Sequence, residues 1–173
     1  MKNELIFSGI GGQGTILMGK MICTTAAKKG YYVTLSPAYG QEKRGGRASC
    51  QVVISEEMSS MIISEADTIL VMDEKSLNDY ENKVKAGGTL IINQSMITKD
   101  AQRKDINTVK IPFTEIATKV ATAKSANMVA LGAVVKTLDI VTLDDAKEVI
   151  KVKMKPALVE QNTKALEAGY HYL

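Results

Sequence analysis

This sequence is poor in the residues that build metal centres and self-sufficient active sites. Of its 173 residues, two are cysteine, one is histidine and three are arginine. Cys23 and Cys50 lie far apart and form no C-x-x-C pair. Zinc and iron–sulfur sites need several thiolates at short spacing, so neither is expected in this chain. The histidine, His171, stands next to the C-terminus and reads as a surface group. Ser49 therefore has no histidine partner in sequence terms, and Asp73, Glu74, Asn93, Gln94 and Ser95 read as helix-terminal and turn residues. No constellation here runs chemistry by itself. No apolar run reaches ~18 residues, which argues against a membrane span, and no signal-peptide architecture precedes the strand-like run beginning at Leu5. Both absences point to the cytoplasm, where a disulfide is disfavoured. The net charge of +3 is small and the lysines mostly alternate with acids, whereas a nucleic-acid binder shows a basic excess or stripe. Neither a nucleic acid nor a membrane is expected as a partner.

What is present is an ordinary globular composition, 45% apolar and 24% charged, long enough for one domain with a sizeable core. Leu5–Ser8 reads as a buried strand, Gly9–Gly14 as a glycine-rich turn and Thr15–Lys29 as a helix stopped by Gly30. Strands follow at Tyr31–Ser36, Ala48–Ile54, Thr68–Met72, Thr89–Asn93 and Thr108–Ile111. A helix over Asp73–Lys85 is closed by Gly87-Gly88. Three more helices run over Thr114–Ala123, Asn127–Leu138 and Leu143–Met154, the last opened by the capping-box pattern Thr142-Leu143-Asp144-Asp145. Pro156 opens a final helix ending near Gly169. Alternating strands and helices predict a mostly parallel sheet. Ala48–Ile54 is the exception, since it follows a strand without an intervening helix. The expectation is an α/β fold: a single domain over 1–173, doubly wound and Rossmann-like, its sheet flanked by helices, with helices at the C-terminus. Met58–Ile63 is apolar, suited either to the core or to a partner subunit.

Gly9-Ile10-Gly11-Gly12-Gln13-Gly14 matches G-x-G-x-x-G between a strand and a helix, the context that motif requires. Glycines allow a sharp turn and close approach of a ligand, and the amides of Gly12, Gln13 and Gly14 at a helix N-terminus favour phosphate. An NAD site wants an acid at the end of the second strand. Here that strand ends Ser36-Pro37-Ala38, and the first acid, Glu42, comes too late. An NADP site fits slightly better, since Ser36 and Arg44 offer partners for a 2′-phosphate. A purely structural role for the glycines also stays open. A phosphate loop of the G-K-[ST] kind is absent after Gly14.

The second cluster is Tyr39-Gly40-Gln41-Glu42-Lys43-Arg44-Gly45-Gly46-Arg47. Two of the three arginines sit in it, and arginine grips phosphates and carboxylates through a bidentate fork. Loops after strands gather at the carboxyl edge of such a sheet, so this loop is expected beside the glycine loop, forming an anion pocket. The alternative is a solvated charged turn.

The pairing of G-x-G-G-Q-G with a Y-G-x-E-x-R-G-G loop about 25 residues later resembles the gamma subunit of 2-oxoacid:ferredoxin oxidoreductases. The resemblance implies a subunit of an enzyme that decarboxylates a 2-oxoacid on thiamine diphosphate, passes electrons through iron–sulfur clusters to ferredoxin and transfers the acyl group to coenzyme A. Thiamine diphosphate and the clusters are then expected in partner subunits, and this chain is inactive alone. Coenzyme A binding is implied for Gly11, Gly12, Gln13, Gly14, Thr15, Lys20, Lys43, Arg44, Gly45 and Gly46; Arg47 is added on charge alone. The glycine pair after Arg44 looks more like the 2-oxoglutarate and branched-chain or aryl types than the pyruvate type, and 2-oxoglutarate is favoured. A free-standing NADP-dependent reductase and a nucleotide-binding regulatory module are the alternatives.

Overall fold

The computed structural model describes residues 1–42 and 45–173. Its sheet grows around β1 (Lys2–Ile10), whose Leu5-Ile6-Phe7 run is fully buried on both faces. That is the signature of a central strand covered on both sides. Beside it stand β4 (Ala66–Val71), then β5 (Val84–Asn93) and β6 (Asn107–Ile111), each parallel to its neighbour. On the other side β1 pairs antiparallel with β3 (Arg47–Ser55), which pairs antiparallel with the edge strand β2 (Tyr32–Tyr39). The order is β2-β3-β1-β4-β5-β6.

Side-chain alternation divides the core in two. Leu5, Phe7, Val52, Ile54, Leu70 and Ile91 face a thick helical layer: α1 (Thr15–Lys28), α3 (Phe113–Val120), α4 (Ala126–Thr137), α5 (Leu143–Lys153) and α6 (Pro156–Tyr172). Ile6, Val53, Ile69, Val71, Leu90 and Ile92 face a thinner layer holding α2 (Glu74–Tyr80), Ile63 and Ile97. Met128 through Val135 of α4 are all buried, as befits a helix enclosed by other helices and the sheet.

The α/β expectation holds, with one antiparallel strand where Ala48–Ile54 was singled out. Three details differ. First, β2 runs on through Pro37, which an edge strand tolerates because no neighbour needs its missing amide hydrogen. Second, Gly87-Gly88 does not end a helix. A short 3₁₀ turn, Glu81–Lys83, closes α2, and the glycines lie inside β5. There Ala66 pairs with Val84 while Thr68 pairs with Thr89, so β5 carries extra residues, and Gly87 takes φ +75° in the resulting bulge. Third, Gly169 lies within α6, where that helix crosses α4. The capping box on α5 forms as expected: the Asp145 amide donates to Thr142 Oγ1 at 3.2 Å, and the Thr142 amide donates to Asp145 Oδ2 at 2.8 Å. Those hydrogen bonds, the Thr142 amide first and then Lys29, hold the Asp145 carboxyl below its ordinary range. Of the Met58–Ile63 segment only Ile63 is buried; Met58, Met61 and Ile62 project into solvent.

Candidate functional site

The carboxyl ends of β1, β4 and β5 meet at one edge of the sheet. β3 runs the other way, so its first residue lies at that edge too, with Arg47 opposite Ile10. The Tyr39–Arg47 connection is therefore a hairpin between β2 and β3, closed by the Gly40 amide donating to the Arg47 carbonyl at 2.6 Å. This brings the two sequence motifs together by a different route from the one expected. In dinucleotide folds the second strand lies beside the first; here β3 takes that place. The motifs touch directly, since the Gly11 amide donates to the Gly46 carbonyl at 2.7 Å.

Between them opens a cleft of about 370 Å³ lined by Gly11, Gly12, Gly14, Thr15, Glu42, Gly45, Gly46 and Arg47, with Ile16, Leu17, Tyr39, Gly40 and Ala48. A second hollow of about 480 Å³ lies across the hairpin, against Lys75 and Tyr80, and shares Tyr39, Gly40, Glu42 and Arg47 with the first. Gly12 and Gly14 adopt φ +94° and +77°, conformations that cost a residue with a Cβ. Among the described residues their amides have no hydrogen-bond partner, and both glycines line the cleft at the start of α1.

Gln13, expected among the coenzyme A-binding residues, is held by bonds within the protein. Its amide donates to the Ile10 carbonyl at 3.2 Å. Its side-chain Oε1 accepts from the Ile10 amide at 2.8 Å, and its Nε2 lies 3.5 Å from the Met72 carbonyl. It is a brace that ties the glycine loop to β1 and to the end of β4. Gln13→Ala strips the Ile10 amide of its partner, a loss of about 1–3 kcal/mol for a part-buried donor. The expected result is a lower urea midpoint, together with weaker binding in the cleft, read by equilibrium unfolding and ligand titration of the same variant. Thr15 is likewise internal, its hydroxyl donating to the Ala48 carbonyl at 3.0 Å. Lys20 does not line the cleft; it stands over a neighbouring groove with Leu17, Met21 and Lys153. Arg47 lines the cleft, but its guanidinium is ion-paired to Asp79. Lys43 and Arg44 lie outside the described residues. Glu42, from the same loop, adds a carboxylate to the lining of the expected anion pocket.

Two features escaped the sequence. Asn127 of α4 lies against Gly14, so close that a Cβ there would meet its Nδ2 at 2.4 Å. Gly19 lets α1 settle on the sheet, since a Cβ there would meet Cys50 Sγ at 2.5 Å. Nothing local marks either, because each depends on a neighbour distant in sequence. Cys23 and Cys50 are free, and burial pushes both thiols up to about 12, away from the thiolate that a nucleophile or cluster ligand must be. Among the described residues no three His, Cys, Asp or Glu side chains come together to hold a metal ion, so the chain's donors do not fit an iron–sulfur cluster. No described helix is long and apolar enough to cross a membrane.

Residues 4–172 match the pyruvate ferredoxin/flavodoxin oxidoreductase family, and the chain belongs to it. Over 98% of its length and 95% of the relative's, it is 34% identical to 2-oxoglutarate synthase subunit KorC of Methanothermobacter marburgensis. It superposes with a TM-score of 0.88 on the gamma subunit of a keto/oxoacid ferredoxin oxidoreductase from Geobacter sulfurreducens, at 29% identity, covering 99% of this chain and 95% of that one. A 2-oxoglutarate:ferredoxin oxidoreductase from Magnetococcus marinus, solved with 2-oxoglutarate, coenzyme A and succinyl-CoA, contains the same fold (TM-score 0.90, 24% identity). This chain covers 31% of that longer polypeptide and is itself covered over 99% of its length.

Proposed function

We propose that this chain is the gamma subunit of a cytoplasmic 2-oxoglutarate:ferredoxin oxidoreductase and that its glycine-loop cleft holds phosphates of coenzyme A. The observation that carries the site is the 2.7 Å bond from Gly11 to Gly46, which joins the two motifs around a cleft that Gly12 and Gly14 line. Backbone donors at a helix start suit phosphate oxygens. Arg44, from the same loop, supplies the bidentate cation, and Thr15 and Gln13 keep the loop in shape. The full-length similarity to a 2-oxoglutarate synthase subunit supports the substrate. The bound 2-oxoglutarate and coenzyme A of the Magnetococcus enzyme support the ligand.

The cleft binds and orients; among its described lining residues there is no histidine or cysteine, and Glu42 supplies its one carboxylate. Decarboxylation on thiamine diphosphate and electron transfer through iron–sulfur clusters to ferredoxin belong to partner subunits. A dinucleotide reductase fits less well, because β3 occupies the position from which a second strand would present its ribose-binding acid. The test is reconstitution. The purified chain alone oxidises no 2-oxoacid; the complex with its partner subunits reduces ferredoxin in the presence of 2-oxoglutarate and coenzyme A. Turnover by the lone chain, or a complete complex indifferent to coenzyme A, overturns the assignment.

A further inference from the structure

The connection from β3 to β4, residues 56–65, lies at the end of the sheet opposite the glycine-loop cleft, because Ser55 pairs with Lys2 at the start of β1. Its apolar side chains are divided. Ile63 is buried in the thinner core layer, whereas Met58, Met61 and Ile62 are 83%, 58% and 81% exposed. Met58 and Ile62 are the two most exposed large apolar side chains among the described residues. Single exposed apolar residues are ordinary, but three within five positions form a patch of the kind that marks a contact surface. Methionine suits such a surface because it adapts its shape to what covers it. The loop is also held in place. The Ser55 hydroxyl donates to the Glu57 carbonyl at 2.5 Å, Ser59 Oγ lies 3.2 Å from that of Ser55, and the Ile62 amide donates to Ser60 Oγ at 3.2 Å. A loop already shaped loses less freedom when it is covered.

The rim of this patch carries one sign of charge. No lysine or arginine occurs between Arg47 and Lys75, whereas Glu56, Glu57 and Glu65 flank the apolar residues and are exposed. Lys2, Lys85 and Arg103 stand at the same edge of the sheet, but each is ion-paired, Lys2 and Lys85 to Glu4 and Arg103 to Asp105. A second copy of the chain is therefore a poor occupant, since a twofold contact through this patch sets Glu57 and Glu65 against their like. Resting on the reading of the chain as one subunit of a larger enzyme, we propose that the 58–62 loop docks on a partner subunit, in an apolar hollow rimmed by lysine or arginine. Met58, Met61 and Ile62 supply the affinity, and the glutamates fix the orientation. Docking at this end leaves the Gly11–Gly46 junction, at the other end of the sheet, free for its ligand.

The experiment uses the complex assembled by co-expression of this chain with its partner subunits. The doubly substituted Met58→Ala, Ile62→Ala chain should leave the complex on dilution at a concentration about 10- to 100-fold higher than wild type, the consequence of truncating central apolar contacts. Mass photometry of a dilution series reads that concentration. Glu57→Lys, Glu65→Lys should weaken the same association and blunt its loosening by added salt. Val152→Ala, which trims an exposed apolar side chain of α5, should leave it unchanged. All these side chains stand in solvent, so each variant chain should melt with wild type. Excess alanine chain should restore full turnover with an unchanged KM for coenzyme A, because the loop acts on assembly and not on the cleft. An alanine chain held as firmly as wild type overturns the docking while leaving the subunit reading standing. A wild-type chain that never joins the partner subunits overturns both. A dimer of the chain alone that Met58→Ala, Ile62→Ala abolishes makes a second copy the occupant and overturns the proposal.

Discussion

Gly169→Ala should destabilise the protein by about 3 kcal/mol or more, at the upper end of what overpacking costs. Helix propensity alone argues the opposite, because alanine is favoured over glycine inside a helix by roughly 1 kcal/mol. Geometry decides which effect wins. A Cβ on Gly169 would lie 1.8 Å from the Val129 carbonyl oxygen and 2.7 Å from its carbon. On the facing helix, a Cβ on Gly132 would lie 2.0 Å from the Leu166 carbonyl oxygen. Both obstacles are backbone, which cannot rotate away as a side chain can. To admit one methyl group, α4 and α6 must separate along the crossing, and Val129, Leu166 and Ala165, all fully buried, lose their packing. For a chain of this size a loss of 3 kcal/mol lowers the melting temperature by roughly 6–12 °C. Gly30→Ala supplies the contrast. Gly30 has φ +90° but open space around it, so only backbone strain of about 1–2 kcal/mol applies. Thermal melts of Gly169→Ala, Gly132→Ala and Gly30→Ala should rank the first two well below the third. A Gly169→Ala protein as stable as wild type, or more so, means the helices do not meet this closely.

The same pair of helices shows where the sequence is informative and where it is silent. Features decided within a few residues were legible: the glycine loop between β1 and α1, the capping box at Thr142 and the breaks between strands and helices. The antiparallel character of β3 was legible as well, because no segment between Tyr39 and Arg47 is long enough for a crossover helix. Its position was not. Whether β2 or β3 pairs with β1 depends on long-range burial, and only the pairing of Ile10 with Arg47 reveals it. Gly169 and Gly87 illustrate the same limit. A glycine in sequence signals freedom from a side chain; whether that freedom serves a turn, a bulge or a helix crossing depends on what packs against it. In the site, Arg47 was read from its charge, yet Asp79, on the helix that follows β4, claims its guanidinium. Charge patterns name the donors, and the fold chooses their acceptors.

The pairing of Arg47 with Asp79 frames the second large effect, which concerns Arg44. Arg44→Ala should raise the coenzyme A requirement of the assembled complex about 10- to 100-fold, the consequence of losing a charge-assisted contact of roughly 1.5–3 kcal/mol. The requirement for 2-oxoglutarate and the thiamine-dependent first step should hardly change, because neither needs the coenzyme A phosphates. Arg44→Lys should recover only part of the loss, since an ammonium cannot reproduce the planar fork on a phosphate. Arg47→Ala should have a smaller effect on the same constant, because its guanidinium already answers Asp79. Removing that acid tests the distinction from the other side: Asp79→Asn releases Arg47 beside the cleft it lines and should tighten coenzyme A binding modestly. The decisive measurement is steady-state kinetics with each substrate varied in turn, accompanied by size-exclusion analysis of the complex. If Arg44→Ala leaves the coenzyme A dependence intact while the subunits fall apart, the Tyr39–Arg47 loop is a contact between subunits, and the phosphates must be held by other residues.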